Sequence, residues 1–179
     1  MTCQSSEARD APADRDGSRV ASAMKELKNA GWYWGSLTAD EAKDVLRDAA
    51  EGTFLVRDSS QRDFLFTISA VTSAGPANLR IRYHGAKFKL DSVASVSPKL
   101  REFDSVVRLV EHYVQLSRSG AAAPPNGAVP LLLIRPAYSA VPPLRHLSRV
   151  AINGRTRRVG DLPLPNRLKD YLGDYLYNV

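Results

Sequence analysis

The stretch GTFLVRDSS, residues 52–60, puts a positive charge at the end of an apolar run. Phe54, Leu55 and Val56 have strand character, and on a period-2 strand Arg57 shares a face with Leu55. A guanidinium there gives up water at a high cost unless a partner replaces it. A nearby acid, Asp58 or Asp63, is one such partner; an anion arriving from outside is another. Asp58, Ser59, Ser60, Gln61 and Arg62 form a polar turn that offers backbone N–H groups and two hydroxyls just after the arginine, the makings of an anion nest. Thr67 on the following strand adds a hydroxyl, and Arg80 on the one after that adds a second guanidinium. Two arginines, several hydroxyls and free amides complement a phosphate dianion, which accepts bidentate, charge-assisted bonds.

Other chemistry finds less support. His84, His112 and His146 are scattered over a turn, a helix and the C-terminal piece, without metal-ligand spacing. Cys3 stands alone, which excludes a disulfide framework and a cysteine-based metal cluster. No glycine-rich loop leads into a helix in the nucleotide-binding pattern. The expectation is therefore a chain without catalytic residues, cofactor or metal. Trp32, Tyr33 and Trp34 resemble a stacking patch, but beside a capped helix they fit better as core and hinge aromatics. The net charge of +6 lies mainly in residues 136–179, where seven basic residues face three acidic ones. There Arg155, Arg157 and Arg158 cluster without interleaved aromatics, which suits a solvated loop better than a nucleic-acid site.

The elements that must position Arg57 follow from periodicity. Residues 1–18 are polar and are expected to form a flexible leader. Val20, Ala23, Met24 and Leu27 then predict a helix over 19–31, with Ser18 as its cap and Gly31 as its stop. Thr38 with Glu41 makes a capping box for a second helix, whose buried stripe is Ala42, Val45 and Leu46 and which Gly52 ends. Strands are expected at 53–57, 63–70, 78–83 and 86–90, as an antiparallel meander. Asp104 is placed to cap a helix bearing Val106, Val107, Leu109, Val110, Tyr113 and Val114, and AVPLLLI, residues 128–134, reads as a last strand. Helix, strands, helix, strand describes an α+β fold, an antiparallel sheet with a helix on each face. After Pro136 the proline-punctuated texture predicts two short helices, about 143–152 and 166–174. So small a piece buries little of its own apolar surface and needs a partner.

With 179 residues, one main domain is expected. No apolar run approaches the roughly 18 residues of a membrane span. The first residues lack the apolar core of a secretory signal and carry acids that a transit peptide avoids, so a cytoplasmic protein is expected.

WYWGSLTADEA, GTFLVRDSS, FTISA and LRIRYHGAKFKLDS, in that order and spacing, resemble the Src-homology-2 (SH2) domain, a phosphotyrosine reader, over about residues 32–135. The resemblance implies that Arg57 grips the phosphate and that Ser59, Ser60, Thr67 and Arg80 support it. Many such domains carry a basic residue just after the first helix cap, where this chain has Ala39; that shifts charge-bearing work onto Arg80. It implies an extended peptide ligand that runs toward the second helix and the loop near 92–98.

In PLRHLSRVAI, Leu144, Ser148 and Ile152 form one helical stripe with Leu147 beside it, as suited to a small core as to docking. Joined to LPLPNRLKDYL, it resembles the SOCS box, here over residues 136–179, and the whole chain resembles the suppressors of cytokine signalling. The resemblance implies that Leu144, Leu147, Ser148 and Ile152 meet the elongin B/C pair. It further implies that Leu162, Pro163, Leu164 and Pro165 contact a cullin scaffold with its RING protein. Captured tyrosine-phosphorylated cytokine or growth hormone receptors would then be ubiquitinated and JAK–STAT signalling dampened. Ser148 stands where the box usually has cysteine. A desolvated hydroxyl costs about 1–3 kcal/mol, and a bond back to the Leu144 carbonyl recovers part of that, so weakened elongin binding is expected. The expectation is a non-catalytic adaptor with two working ends; a phosphotyrosine module whose tail merely caps the domain is the alternative.

Overall fold

The computed structural model describes residues 12–91, 100–120 and 132–179. Helix α1 spans Pro12–Ala30, so it begins inside the stretch expected to be a leader, and Ser18 lies within it rather than capping it. Proline suits the first position of a helix, and the single Gly17 costs only about 1 kcal/mol. Ala23, Leu27 and Ala30 are its buried side. Gly31, at φ +84°, ends it as expected.

Helix α2 spans Ala39–Val45 and carries the expected capping box: Glu41 N donates to Thr38 Oγ1 at 3.2 Å and Thr38 N to Glu41 Oε2 at 2.8 Å. Ala42 and Leu46 are buried, but Val45 is exposed and drops out of the stripe. The helix also stops well short of Gly52. Tighter turns replace it, with Arg47 N donating to the Asp44 carbonyl and Ala49 N to that of Leu46. Gly52 then turns the chain at φ +83°, where an added Cβ would lie 2.6 Å from the Ile134 side chain. Only glycine fits that approach.

Four strands follow: β1 Thr53–Asp58, β2 Phe66–Thr72, β3 Gly75–His84 and β4 Lys87–Leu90. They pair antiparallel in sequence order. Strand β2 starts later than expected because Phe64 N closes a turn on the Gln61 carbonyl. Of the strand expected at 128–134, residues 132–134 are not in a strand. Residues 128–131 lie outside the described residues, and β5 is the pair Arg135–Pro136, parallel to β1 at the far edge, which gives the order β4-β3-β2-β1-β5.

Helix α3, Val106–Arg118, is capped by Ser105, whose Oγ accepts from Arg108 N at 3.4 Å. Asp104, the expected cap, is instead in an ion pair with Lys87. The sheet thus has a helix on each face. Phe54, Val56, Phe66, Ile68 and Ile81 pack with Trp32 and the Val106, Val107, Leu109, Val110 and Val114 side of α3, together with α1. Leu55, on the other face, packs with Ala42 and Leu46.

The C-terminal piece folds as α4 Leu144–Asn153, a 3₁₀ turn Val159–Asp161 and α5 Asn166–Gly173. Its partner is the main domain: Tyr175 and Val179 are buried in the same core as Leu27 and Trp32. The buried carboxylate of Glu111 on α3 accepts from Arg157 Nη2 at 2.9 Å and from Asn178 N at 3.0 Å. No helix among the described residues is long and apolar enough to cross a membrane.

Candidate functional site

Pairing register assembles the site. Arg57 on β1 lies opposite Thr67 on β2, which lies opposite Arg80 on β3. Two residues along, Leu55, Ser69 and Asn78 make the neighbouring row on the same face. This is the α2 side of the sheet.

Arg57 is 97% buried, and the groups that hold it are neutral. Its Nε donates to Ser69 Oγ at 3.0 Å, Nη1 to the Asp58 carbonyl at 3.2 Å and Nη2 to Asn78 Oδ1 at 3.1 Å. Ser69 Oγ in turn donates to Asn78 Oδ1 at 2.6 Å. Among the described residues no carboxylate forms an ion pair with Arg57. The Asp58 carboxylate, the obvious internal candidate, accepts from the Tyr33 hydroxyl at 2.5 Å. Burial pushes the Arg57 pKa down, as expected of a cation removed from water without a counter-charge. Three of the five N–H donors of a guanidinium are thereby used, which leaves two for a ligand.

Ser59 and Ser60 follow at the end of β1, where Ser59 Oγ accepts from Gln61 N at 3.3 Å and Ser60 is exposed. Thr67 is buried between the two arginines. Arg80 lies in the row but is held elsewhere: its Nη2 is 2.9 Å from Asp91 Oδ2, its Nη1 donates to Gln61 Oε1 at 2.6 Å, and its Cζ stands 4.7 Å from the Phe64 ring centre. Ser69 and Asn78 were not among the sequence-derived candidates. Each lies two residues from one that was, Thr67 and Arg80, so strand alternation carried the signal. The aromatic trio divides: Trp32 is core, Tyr33 orients Asp58, and Trp34 Nε1 donates to the Ala137 carbonyl at 2.9 Å. The loop at 92–98 lies outside the described residues.

A second surface lies on α4. Leu144 is 78% exposed, and Leu147 and Ser148 are exposed beside it, while Ile152 is half-buried. His146, Arg149 and Asn153 form the opposite, buried side. Asn153 Nδ2 donates to the Tyr175 carbonyl at 2.5 Å, and Arg149 Nη1 to that of Tyr171 at 3.2 Å. The helix therefore turns its polar side to the protein and its apolar side to solvent. Leu162 and Leu164 are half-buried, and Pro163, Pro165 and Leu168 on α5 are exposed.

A mainly antiparallel sheet between two helices, with a buried arginine near the end of its first strand and a C-terminal helical piece that turns Leu144 to solvent, has the arrangement of an SH2 domain joined to a SOCS box. Family models agree: the SH2 domain matches residues 32–113 and the SOCS box residues 140–172. The chain is 54% identical over 167 residues to suppressor of cytokine signaling 2 of Bos taurus, covering 92% of this chain and 84% of that protein. It is 54% identical over 164 residues to the Homo sapiens protein of that name, covering 90% and 83%. It is 41% identical over 191 residues to the cytokine-inducible SH2-containing protein of Gallus gallus, covering 94% and 77%. The chain belongs to the suppressor of cytokine signalling family.

Proposed function

We propose that this chain is a substrate receptor: it captures a tyrosine-phosphorylated receptor tail through Arg57 and brings it to a cullin–RING ubiquitin ligase through elongin B/C. The observation that carries the reading is the Arg57 guanidinium, buried against neutral partners with no carboxylate among the described residues paired to it. A buried cation in that state favours an incoming anion, and phosphotyrosine brings close to two negative charges with strong acceptor oxygens. Ser59, Ser60 and Thr67 are the proposed hydroxyl supports, and Arg80 the second cation.

At the other end, Leu144 and Leu147 are large apolar side chains held in solvent by a helix whose opposite side is anchored. Such an arrangement suits insertion into an apolar pocket of a partner, here elongin C, with Ser148 and Ile152 at the margin. Leu162, Pro163, Leu164 and Pro165 are the proposed cullin contact. Catalysis is borrowed from the ligase, and signalling falls because the receptor is occupied and then ubiquitinated.

Calorimetry with a phosphopeptide selected on an array tests the first end. Arg57→Ala should abolish measurable binding and Arg80→Ala should weaken it steeply; retention of affinity by both would overturn the pocket. Co-purification with elongin B/C tests the second, and an unchanged yield with Leu144→Ala would leave a phosphotyrosine adaptor that blocks receptor sites without recruiting a ligase.

A further inference from the structure

The C-terminal piece carries seven basic residues against three acidic ones, and the phosphotyrosine reading uses none of that excess. Part of it surrounds a cavity of about 430 Å³ where the end of α1, the segment 139–143 and the helices α4 and α5 meet. Arg149 lines this cavity. Like Arg57 it is a buried guanidinium, 6% exposed, with neutral partners: Nη1 donates to the Tyr171 carbonyl at 3.2 Å and Nη2 lies 2.9 Å from His146 Nδ1. Its Nε has no hydrogen-bond partner, and among the described residues no carboxylate forms an ion pair with Arg149. The Arg149 Cζ stands 4.3 Å from the Tyr171 ring centre, and that of Arg145, one turn nearer the start of α4, stands 5.9 Å from the same centre. Long side chains of a helix lean toward its N-terminus, so both guanidinium groups gather at the beginning of α4.

That beginning lacks a cap. Pro143 precedes the helix and supplies no side-chain acceptor, and the N–H groups of Leu144 and Arg145 have none within the helix. A helix start in this state carries partial positive charge and suits an anion. Lys28, in the last turn of α1, brings a third cation to the cavity from the domain side. The Gly31 carbonyl at that end is already taken, by Ser139 N at 2.9 Å and Ser139 Oγ at 3.2 Å. Asp174 is the one acid among the described residues that line the cavity; it is exposed, and three cations outweigh it.

From this geometry we infer that the junction of domain and box holds a second anion site, which takes a phosphate group at the start of α4 between Arg145, Arg149 and Lys28. Donors reach the cavity from several directions, and a tetrahedral oxyanion offers acceptor oxygens on every side, whereas a carboxylate offers two in one plane. Bound there, phosphate would link α1 of the domain to the helix that presents Leu144. The inference is independent of the reading of Arg57.

The test titrates the full chain with inorganic phosphate at constant ionic strength, following the Nε–H resonance of Arg149 and the melting temperature. Phosphate should move the resonance to saturation. Lys28→Gln with Arg145→Gln, both exposed positions, should weaken the apparent affinity by about tenfold or more. At about ten times the apparent Kd the unaltered chain should gain about 3–6 °C over whatever that double variant gains. Phosphate held at Arg57 raises both chains equally and cancels. Arg155→Gln with Arg158→Gln removes the same charge outside the cavity and should keep the full response. N-acetyl-O-phosphoserine amide is compared with phosphate: tighter binding of the first marks a phosphorylated side chain as the source, tighter binding of the second the free ion. An equal rise in melting temperature in the unaltered chain and the Lys28, Arg145 variant would be general salting by an excluded anion and would overturn the site. So would an Arg149 resonance that stays in place, or an equal loss in the Arg155, Arg158 variant, which would leave net charge as the cause.

Discussion

Replacing Ser69 by alanine removes the acceptor for Arg57 Nε and the donor to Asn78 Oδ1 in one step. The guanidinium keeps its burial and loses an orienting bond, so phosphopeptide affinity should fall about tenfold, equivalent to about 1.4 kcal/mol. Ser69→Thr, which retains the hydroxyl, should recover most of it. Titration calorimetry with the melting temperature as a folding control checks this; full affinity in Ser69→Ala would mean that Asn78 and the Asp58 carbonyl suffice. Tyr33 acts one step further out. Burial, then its bond to Asp58, pushes the Tyr33 pKa up, so its hydroxyl remains a donor to that carboxylate. Sequence alone made Arg57 conspicuous, because a charge at the end of an apolar strand has few explanations. It did not reveal which of the possible partners had been taken. The Tyr33–Asp58 bond spans 25 residues and the Arg80–Asp91 pair joins a strand to a loop, and neither is encoded by local spacing.

Elements were legible where their signal is local and obscure where tertiary contacts decide. The capping box of α2 needs only residues 38–41 and was found; removing it through Thr38→Ala should cost about 1 kcal/mol and lower the melting temperature by about 2–4 °C for a protein of this size. A melting curve unchanged within error would show that packing, not the cap, starts α2. The end of the same helix is not legible: the chain leaves the helix in turns closed by the Asp44 and Leu46 carbonyls, well before Gly52 turns it against Ile134. Ser105 and Asp104 are both good caps by composition, and Lys87 on β4 decided between them by drawing Asp104 away. On α4 the stripe of Leu144, Ser148 and Ile152 was ambiguous in sequence between core and docking. The fold leaves Leu144 and Ser148 in solvent and Ile152 half-buried, and buries the opposite side. Leu144→Ala should therefore leave the melting temperature unchanged, since the side chain is already in water, while elongin capture is lost. Ser148→Cys should strengthen that capture. A large drop in thermal stability with Leu144→Ala would instead place the residue in the core.

At the scale of the whole molecule, the two modules share one interior, and its acid sensitivity follows from how that junction is built. His146, on the inner side of α4, is buried; Arg149 Nη2 lies 2.9 Å from its Nδ1, and Tyr175 packs edge-on at 5.3 Å between ring centres. An arginine can only donate, so Nδ1 must be unprotonated to accept. Burial first, and the Arg149 charge second, lower the His146 pKa below its usual 6.5. His112 on α3 is shifted the same way, by burial and by Arg101. The unfolded chain thus binds protons on these residues that the folded one refuses, so stability rises with pH across that window. Their contribution is complete above 6.5 and declines as pH falls below 6.5 toward and through the lowered values. Glu41, held down chiefly by the Thr38 backbone N–H, and Asp104, held down chiefly by Lys87, add acid lability only below their ordinary values of 4.5 and 3.8, a separate range. Melting temperatures taken from about pH 8 down to about pH 5 should accordingly be level at first and then fall. His146→Gln, which keeps an acceptor for Arg149, should flatten part of that fall, and His112→Gln a further part. If the double variant lost stability over the same interval as steeply as the unaltered chain, the junction histidines would not be the source. Were the fall flattened, acid would be expected to loosen the box from the domain that reads phosphotyrosine, because the residue it protonates belongs to the helix that presents Leu144.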